Sequence, residues 1–366
     1  PSFLTRPRRF GKTLTMDMIR TYFEKTSTDT SIYFSDKKIW NCGDAYKQLQ
    51  GTYPVIFLSF KDAHQTNWTD MYRSLCFTLK EEFLRHIELL SSKAINEYDK
   101  KYIHNLINDV ADSTDYQFAL GKLSSLLATH YNQKVIIIID EYDTPIQQGH
   151  LYHYYNEVVG FMRNLFSSAL KDNENLEFGI LTGILRIAKE SLFSGLNNLV
   201  VNTILDDKYS EYFGFTVNDI SNMAAYYGMA EKLSEIKEWY DGYRFGDVDV
   251  YCPWDVMNYL RDLQYDPAAK PKGYWKNTSD NAVIRSFIDY AGSNITRKLE
   301  ILLSGGYIVQ KIEDDLTYDY LHSSEENLWS VLYLTGYLTM VREKELQEML
   351  PDGRSEEHTS ELQSHL

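Results

Sequence analysis

The sequence predicts an α/β fold, with a parallel sheet in the first part of the chain and a mainly helical second domain after it. Short apolar runs alternate with stretches of helical periodicity, the pattern of strands joined by helices that cover a parallel sheet. One run, Val135-Ile136-Ile137-Ile138-Ile139, is wholly β-branched and reads as a strand buried on both faces. Beyond about residue 206 such runs thin out, and turn signals at Phe213-Gly214, Asp241-Gly242 and Phe245-Gly246 separate helical stretches.

Taken in order, the expected strands are Phe3–Thr5, Val55–Phe60, Val135–Ile139, Phe178–Thr182 and Val201–Leu205. A helix is expected over Lys12–Phe23, with Leu14, Met18 and Ile19 turned to the sheet. Tyr72, Leu75, Cys76, Leu79 and Phe83 share one helical face. Thr114 and Gln117 form a candidate capping box ahead of Leu120, Leu123 and Leu127, and Tyr154–Leu170 is a further amphipathic helix. Tyr307–Ile312 and Leu338–Arg342 suggest a small β element in the later part.

The expected domains are 1–206 for the sheet, with its first strand cut part-way, and 207–342 for the helical domain, of which a winged helix is one candidate form. A charged linker is expected over 343–353. Residues 354–366 match what a widely used sequencing adapter encodes and are set aside as an artefact.

With 366 residues, 43% of them apolar, the chain can bury a large core. A formal charge of −15 argues against a global attraction to nucleic acid or anionic membranes. Cys42, Cys76 and Cys252 lie far apart without metal-ligand spacing, which favours a reducing, cytoplasmic setting over a disulfide framework or a zinc site. No apolar run approaches the roughly 18 residues of a membrane span.

The chemistry-bearing residues fall in three places. Arg6-Pro7-Arg8-Arg9-Phe10-Gly11-Lys12-Thr13 ends as a phosphate-binding loop does, between a strand and a helix, but Arg6 stands where the first glycine of the usual pattern belongs. Main-chain N–H groups of Arg8, Arg9, Phe10 and Gly11 would wrap phosphate oxygens, Lys12 would reach the β/γ oxygens, and the Thr13 hydroxyl would ligate Mg²⁺. Arg6, Arg8 and Arg9 read either as a bidentate phosphate clamp or as a solvated rim.

The second place is the end of the β-branched strand. There Asp140 would hold the metal's water shell, and Glu141 would orient or deprotonate an attacking water. Asp143 reads equally as a turn former. The third is the strand ending at Thr182, whose hydroxyl either contacts phosphate or water or is structural; Arg186 reads as an arginine finger or as a surface residue. Trp239-Tyr240-Asp241-Gly242-Tyr243 and Pro253-Trp254-Asp255 read as packing in the second domain.

The run Thr5–Thr13 and the blocks Ile139–Pro145 and Leu181–Gly183 resemble the AAA-ATPase-like family of bacterial proteins. So do the later signatures Phe213–Thr216, Trp239–Tyr243 and Tyr251–Trp254. The resemblance implies a P-loop sheet of the additional-strand type and ATP with Mg²⁺ as ligands. An arginine at position 6 is that family's own pattern. The resemblance also implies a C-terminal nuclease-like domain beyond this sequence, through which DNA would be the partner. Three functions follow from it: an ATPase, a nucleotide-gated switch with negligible hydrolysis, or the regulatory module of a nuclease.

Overall fold

The structure is a computed structural model that describes residues 1–185, 199–274, 292–313, 316, 324–341 and 360–364. The chain clusters into two compact units. The first contains Pro1–Leu4 and Thr13–Gly183; the second contains Thr5–Lys12 and the chain from Asn202 onward.

In the first unit the elements run β1 (Ser2–Thr5), α1 (Lys12–Phe23), α2 (Asp44–Lys47), β2 (Val55–Ser59), α3 (Trp68–Arg85), α4 (Glu97–Ile107), α5 (Ser113–Tyr131), β3 (Val135–Asp140), α6 (Thr144–Leu151), α7 (Tyr155–Leu170), β4 (Leu176–Gly183) and β5 (Val200–Asn202). The five strands form one sheet in the order β2-β3-β4-β1-β5. All six residues of β3 are buried, as its unbroken β-branched run requires. It pairs in parallel with β2, where Ser59 lies opposite Asp140, and with β4, where Ile139 lies opposite Leu181. Three strands thus finish side by side at Ser59, Asp140 and Gly183.

The helices depart from expectation in two places. On α1, Leu14 and Met18 are exposed, and the buried positions are Lys12, Met16 and Tyr22. Residues 12 and 16 are one helical turn apart, so burying the lysine rotates Leu14 and Met18 to the far side. Helix α5 is capped by Asp112, not Thr114. The Asp112 carboxylate accepts from the N–H groups of Thr114 (2.8 Å) and Asp115 (2.9 Å), and Asp115 accepts from Asp112 N–H at 3.2 Å. Two N–H groups satisfied by one carboxylate outweigh a single hydroxyl.

The free edge of the sheet at β2 is covered by side chains of α3. Glu82 accepts from Phe57 N–H at 2.8 Å, and Arg85 Nη2 donates to Val55 C=O at 2.5 Å. Arg85 also pairs with Glu82 and Glu24. His86 lies within 3.3 Å of Glu82 and 3.5 Å of Glu88, and Tyr131 donates to Glu88 at 3.0 Å. An exposed edge strand is a template for unwanted pairing, and here polar side chains occupy its main-chain groups.

The second unit holds β6 (Phe215–Thr216), α8 (Val217–Tyr226), α9 (Leu233–Tyr240), β7 (Tyr243–Phe245), β8 (Val248–Tyr251), α10 (Pro253–Tyr265), α11 (Ser293–Leu303), β9 (Tyr307–Gln310), α12 (Glu325–Leu334), β10 (Leu338–Met340) and β11 (Ser360–Ser364). It is richer in β structure than expected. Strands β6-β8-β7 form one antiparallel sheet and β10-β11-β9 another. Ile220, Ile236, Tyr240, Val256, Tyr259 and Leu260 build a core under the first of these. Strand β11 falls in the stretch set aside from fold reasoning, and it joins its neighbours through main-chain pairing, which asks little of side-chain identity. Residues 343–353, expected as a linker, lie outside the described residues.

Candidate functional site

Asp140 is fully buried at the end of β3 and is ringed by hydroxyls. Thr182 Oγ1 on β4 donates to its Oδ1 at 2.6 Å, Thr13 Oγ1 on α1 donates to its Oδ2 at 2.7 Å, and Ser59 Oγ on β2 donates to Oδ2 at 3.3 Å. Each is there because a strand or a helix starts or stops at that residue or the one beside it. A buried carboxylate needs such partners.

Glu141 leaves the strand with φ 53°, a left-handed conformation that turns the chain sharply toward α6. Its Oε2 accepts from Thr144 Oγ1 at 3.3 Å, while Tyr142 N–H donates to Thr182 C=O at 3.1 Å and ties the turn to β4. Gly183 makes that turn possible. A Cβ there would lie 2.6 Å from Tyr142 Cε1 and 2.7 Å from Asp143 Oδ1. Asp143 is itself buried and opens α6.

Residues Thr5–Lys12, expected as the phosphate loop, belong to the second unit. Arg6 is neither a clamp nor a rim, because it is fully buried. Its Nη1 donates to the carbonyls of Thr5 (2.8 Å), Asn202 (3.3 Å) and Thr203 (2.9 Å), and its Nη2 to Tyr209 C=O (3.0 Å). The guanidinium also lies over the rings of Phe213 and Phe245. Burial pulls its pKa down to about 10, against the opposing pull of Asp206, so it stays charged at neutral pH. The left-handed backbone of the loop falls later, at Arg9 (φ 71°) and Gly11 (φ 79°). Position 6 therefore makes no demand for glycine. Arg9 carries the strain instead, on the order of 1–2 kcal/mol for a residue with a Cβ.

Lys12 is buried, and its Nζ donates to the carbonyls of Arg6 and Pro7 at 3.0 Å each. The Phe10 ring is buried against Tyr243 and Phe245, at centroid distances of 4.9 and 5.0 Å. Only the Phe10 main chain is left to meet a ligand. Arg8 is half-buried; Arg9 is exposed, with its guanidinium carbon 4.4 Å from the centroid of Trp254. Arg186 lies outside the described residues. The sequence reading missed Ser59, for which the strand end was the available sign; Trp254, read as packing in the second domain, donates from Nε1 to Tyr274 C=O at 3.2 Å.

Thr13 and Asp140 offer only oxygen donors, the set that a hard cation such as Mg²⁺ takes, and their oxygens are already within 2.7 Å of each other. They fit that ion. Among the described residues no group of three or more His, Cys, Asp or Glu forms an all-protein metal cage, and Mg²⁺ bound with a nucleotide does not need one.

A parallel α/β sheet, a Gly-Lys-Thr loop opening its first helix and an acidic pair closing a buried strand together define a nucleotide-binding ATPase-like class. The chain belongs to the family described as Predicted AAA-ATPase, which matches residues 1–193. It is also 26% identical over 278 residues to an "Uncharacterized protein in vnfD 5'region" of Azotobacter chroococcum mcd 1, covering 75% of this chain. This chain spans 47% of that relative's length. No helix of the described residues is long and apolar enough to cross a membrane.

Proposed function

We propose that the chain binds ATP with Mg²⁺ and hydrolyses it by in-line attack of water. The observation that carries this reading is the hydrogen bond from Thr13 to the buried Asp140, with Thr182 on the other carboxylate oxygen. It joins the start of the phosphate-loop helix to the acidic strand end, the two parts that such chemistry needs together. Thr13 and Asp140 would hold Mg²⁺, which when bound offsets charge on the β- and γ-phosphate oxygens. Lys12 gives up the carbonyls of Arg6 and Pro7 to take phosphate oxygens. Main-chain N–H groups of Arg8–Gly11 cradle the phosphates. Glu141 accepts a proton from the attacking water. Thr182 keeps the Asp140 carboxylate oriented.

Two finer assignments go with this reading. Strand β4 lies between β1 and β3, which supports a sheet of the additional-strand type. The succession β6, α8, α9, β7, β8 with sheet order β6-β8-β7 supports a winged helix in the second unit.

Calorimetry of ATP·Mg²⁺ binding and steady-state phosphate release test the proposal on the parent, Lys12→Ala and Glu141→Gln. Lys12→Ala should lose binding at least tenfold. Glu141→Gln should bind as the parent does and release phosphate on the order of 10²-fold more slowly, a loss typical of removing a general base. Parental turnover by Glu141→Gln would instead favour a nucleotide-gated switch, a reading that the Thr144 bond to the Glu141 carboxylate supports.

A further inference from the structure

Two hydroxyls share one oxygen of Asp140, and a third takes the other. Thr13 Oγ1 and Ser59 Oγ donate to Oδ2 at 2.7 and 3.3 Å, while Thr182 Oγ1 donates to Oδ1 at 2.6 Å. The two sides differ in access. Thr182 is fully buried, whereas Thr13 and Ser59 are half-buried, so only the Oδ2 side is lined by residues that reach the surface. The main chain at Ser59 is held from both edges of its strand. On the inner edge the next residue, Phe60, donates its N–H to Asp140 C=O at 3.0 Å, and on the outer edge Glu82 accepts from Phe57 N–H at 2.8 Å.

We infer that Ser59 Oγ is a ligand of the Mg²⁺ assigned to Thr13 and Asp140, a third protein oxygen at that ion. The inference rests on the nucleotide reading above. Mg²⁺ takes near-octahedral bonds of about 2.0–2.1 Å, which puts neighbouring ligand oxygens about 2.9 Å apart. The two contacts to Oδ2 bracket that spacing, so a shift of a few tenths of an ångström at Ser59 brings its hydroxyl into the set. A hydroxyl has lone pairs for a metal while it donates its proton. Only one of the three oxygens carries charge, so the protein alone holds the ion weakly, and the remaining positions fall to phosphate oxygens and water. The ion therefore arrives with the nucleotide and not ahead of it.

The test measures ATP affinity by calorimetry in EDTA, across a Mg²⁺ series and with Cd²⁺, with inorganic tripolyphosphate titrated in parallel. Ser59→Ala should need about tenfold more Mg²⁺ to reach half of the tightening that the ion gives, a loss typical of disturbing a metal's surroundings. Its affinity in EDTA should equal the parent's, which a packing role would not leave untouched. Ser59→Thr keeps the hydroxyl and should stay near the parent. Ser59→Cys should lose Mg²⁺ as the alanine variant does and regain roughly tenfold with Cd²⁺, which prefers sulfur. The parent, with Cys42, Cys76 and Cys252 in place, is the control. An unchanged Mg²⁺ requirement in Ser59→Ala overturns the ligand role and leaves the nucleotide reading standing, as does a Ser59→Cys variant that Cd²⁺ does not recover. Equal losses with Mg²⁺ and in EDTA overturn it too. If tripolyphosphate gives the pattern and ATP does not bind, the nucleotide assignment fails while Ser59 stands as a ligand. The absence of ion-dependent binding of either probe overturns both.

Discussion

Thr182 Oγ1 donates a 2.6 Å hydrogen bond to Asp140 Oδ1 across two neighbouring strands, and both residues are fully buried. Thr182→Val keeps the shape and leaves a buried carboxylate oxygen without that donor, which costs about 1–3 kcal/mol. Urea denaturation should show the loss, and Thr182→Ser should recover most of it. Equal midpoints for the parent and the valine variant would mean that the hydroxyl carries no weight.

Asp140→Asn should remove the dependence of nucleotide affinity on Mg²⁺. A neutral amide is a weaker ligand than a carboxylate for a hard cation, and its NH₂ would face either the Thr182 hydroxyl or those of Thr13 and Ser59, which now donate to the carboxylate. ATP affinity measured with Mg²⁺ and with EDTA should converge in the variant and differ at least tenfold in the parent. A preserved difference would remove Asp140 from the metal site.

Restoring the usual glycine at position 6 should destabilise the protein. Arg6→Gly deletes a buried guanidinium and strands the carbonyls of Asn202, Thr203 and Tyr209. The cost is about 3 kcal/mol or more, from the cavity and the lost charge-assisted bonds. Arg6→Lys should rescue only part, since a single ammonium cannot reproduce the fork. Thermal unfolding that leaves Arg6→Gly at the parental midpoint would contradict the anchoring role.

The network at the β2 edge should make stability depend on pH in both directions. Burial pulls the His86 pKa down, but the carboxylates of Glu82 and Glu88 outweigh it and the net shift is upward. Burial pushes Glu82 and Glu88 up, but His86 overturns this for both, joined by Arg85 at Glu82 and by a main-chain bond and Tyr131 at Glu88, so that both end lowered, Glu88 to about 2. The carboxylates therefore contribute above their unfolded pKa near 4.5, and that contribution is lost as pH falls through their folded values. His86 contributes fully below 6.5 and loses its contribution as pH rises through its raised folded value. Stability from this network is greatest between about pH 5 and 6.5. His86→Gln should flatten the alkaline side of a pH series of urea midpoints, with Glu24, Arg85 and Tyr131 as the other polar groups around it. An unchanged alkaline slope would show that His86 does not titrate there.

The parts of this architecture set by neighbouring residues were legible in the sequence. The β-branched run became β3, and its carboxylates came to its end because a buried strand delivers its last residue to the sheet margin. The phase of α1 was not legible, because a lysine is counted as a surface residue and Lys12 is buried by its bonds to loop carbonyls. Arg6 was out of reach for a different reason. Its acceptors at Asn202 and Thr203 lie 196 and 197 residues along the chain, so nothing near position 6 distinguishes a buried arginine from an exposed one.

The anchoring of Arg6 also separates two meanings of the word domain. The stretch that the family matches, 1–193, stops short of the carbonyls at Asn202, Thr203 and Tyr209 that hold Arg6. A family match marks descent and does not by itself mark a portable part, because excising 1–193 would strand an arginine built for burial and leave the loop to find its shape unaided. Fusions and fragments cut at the family boundary would inherit the motif without the framework that shapes it.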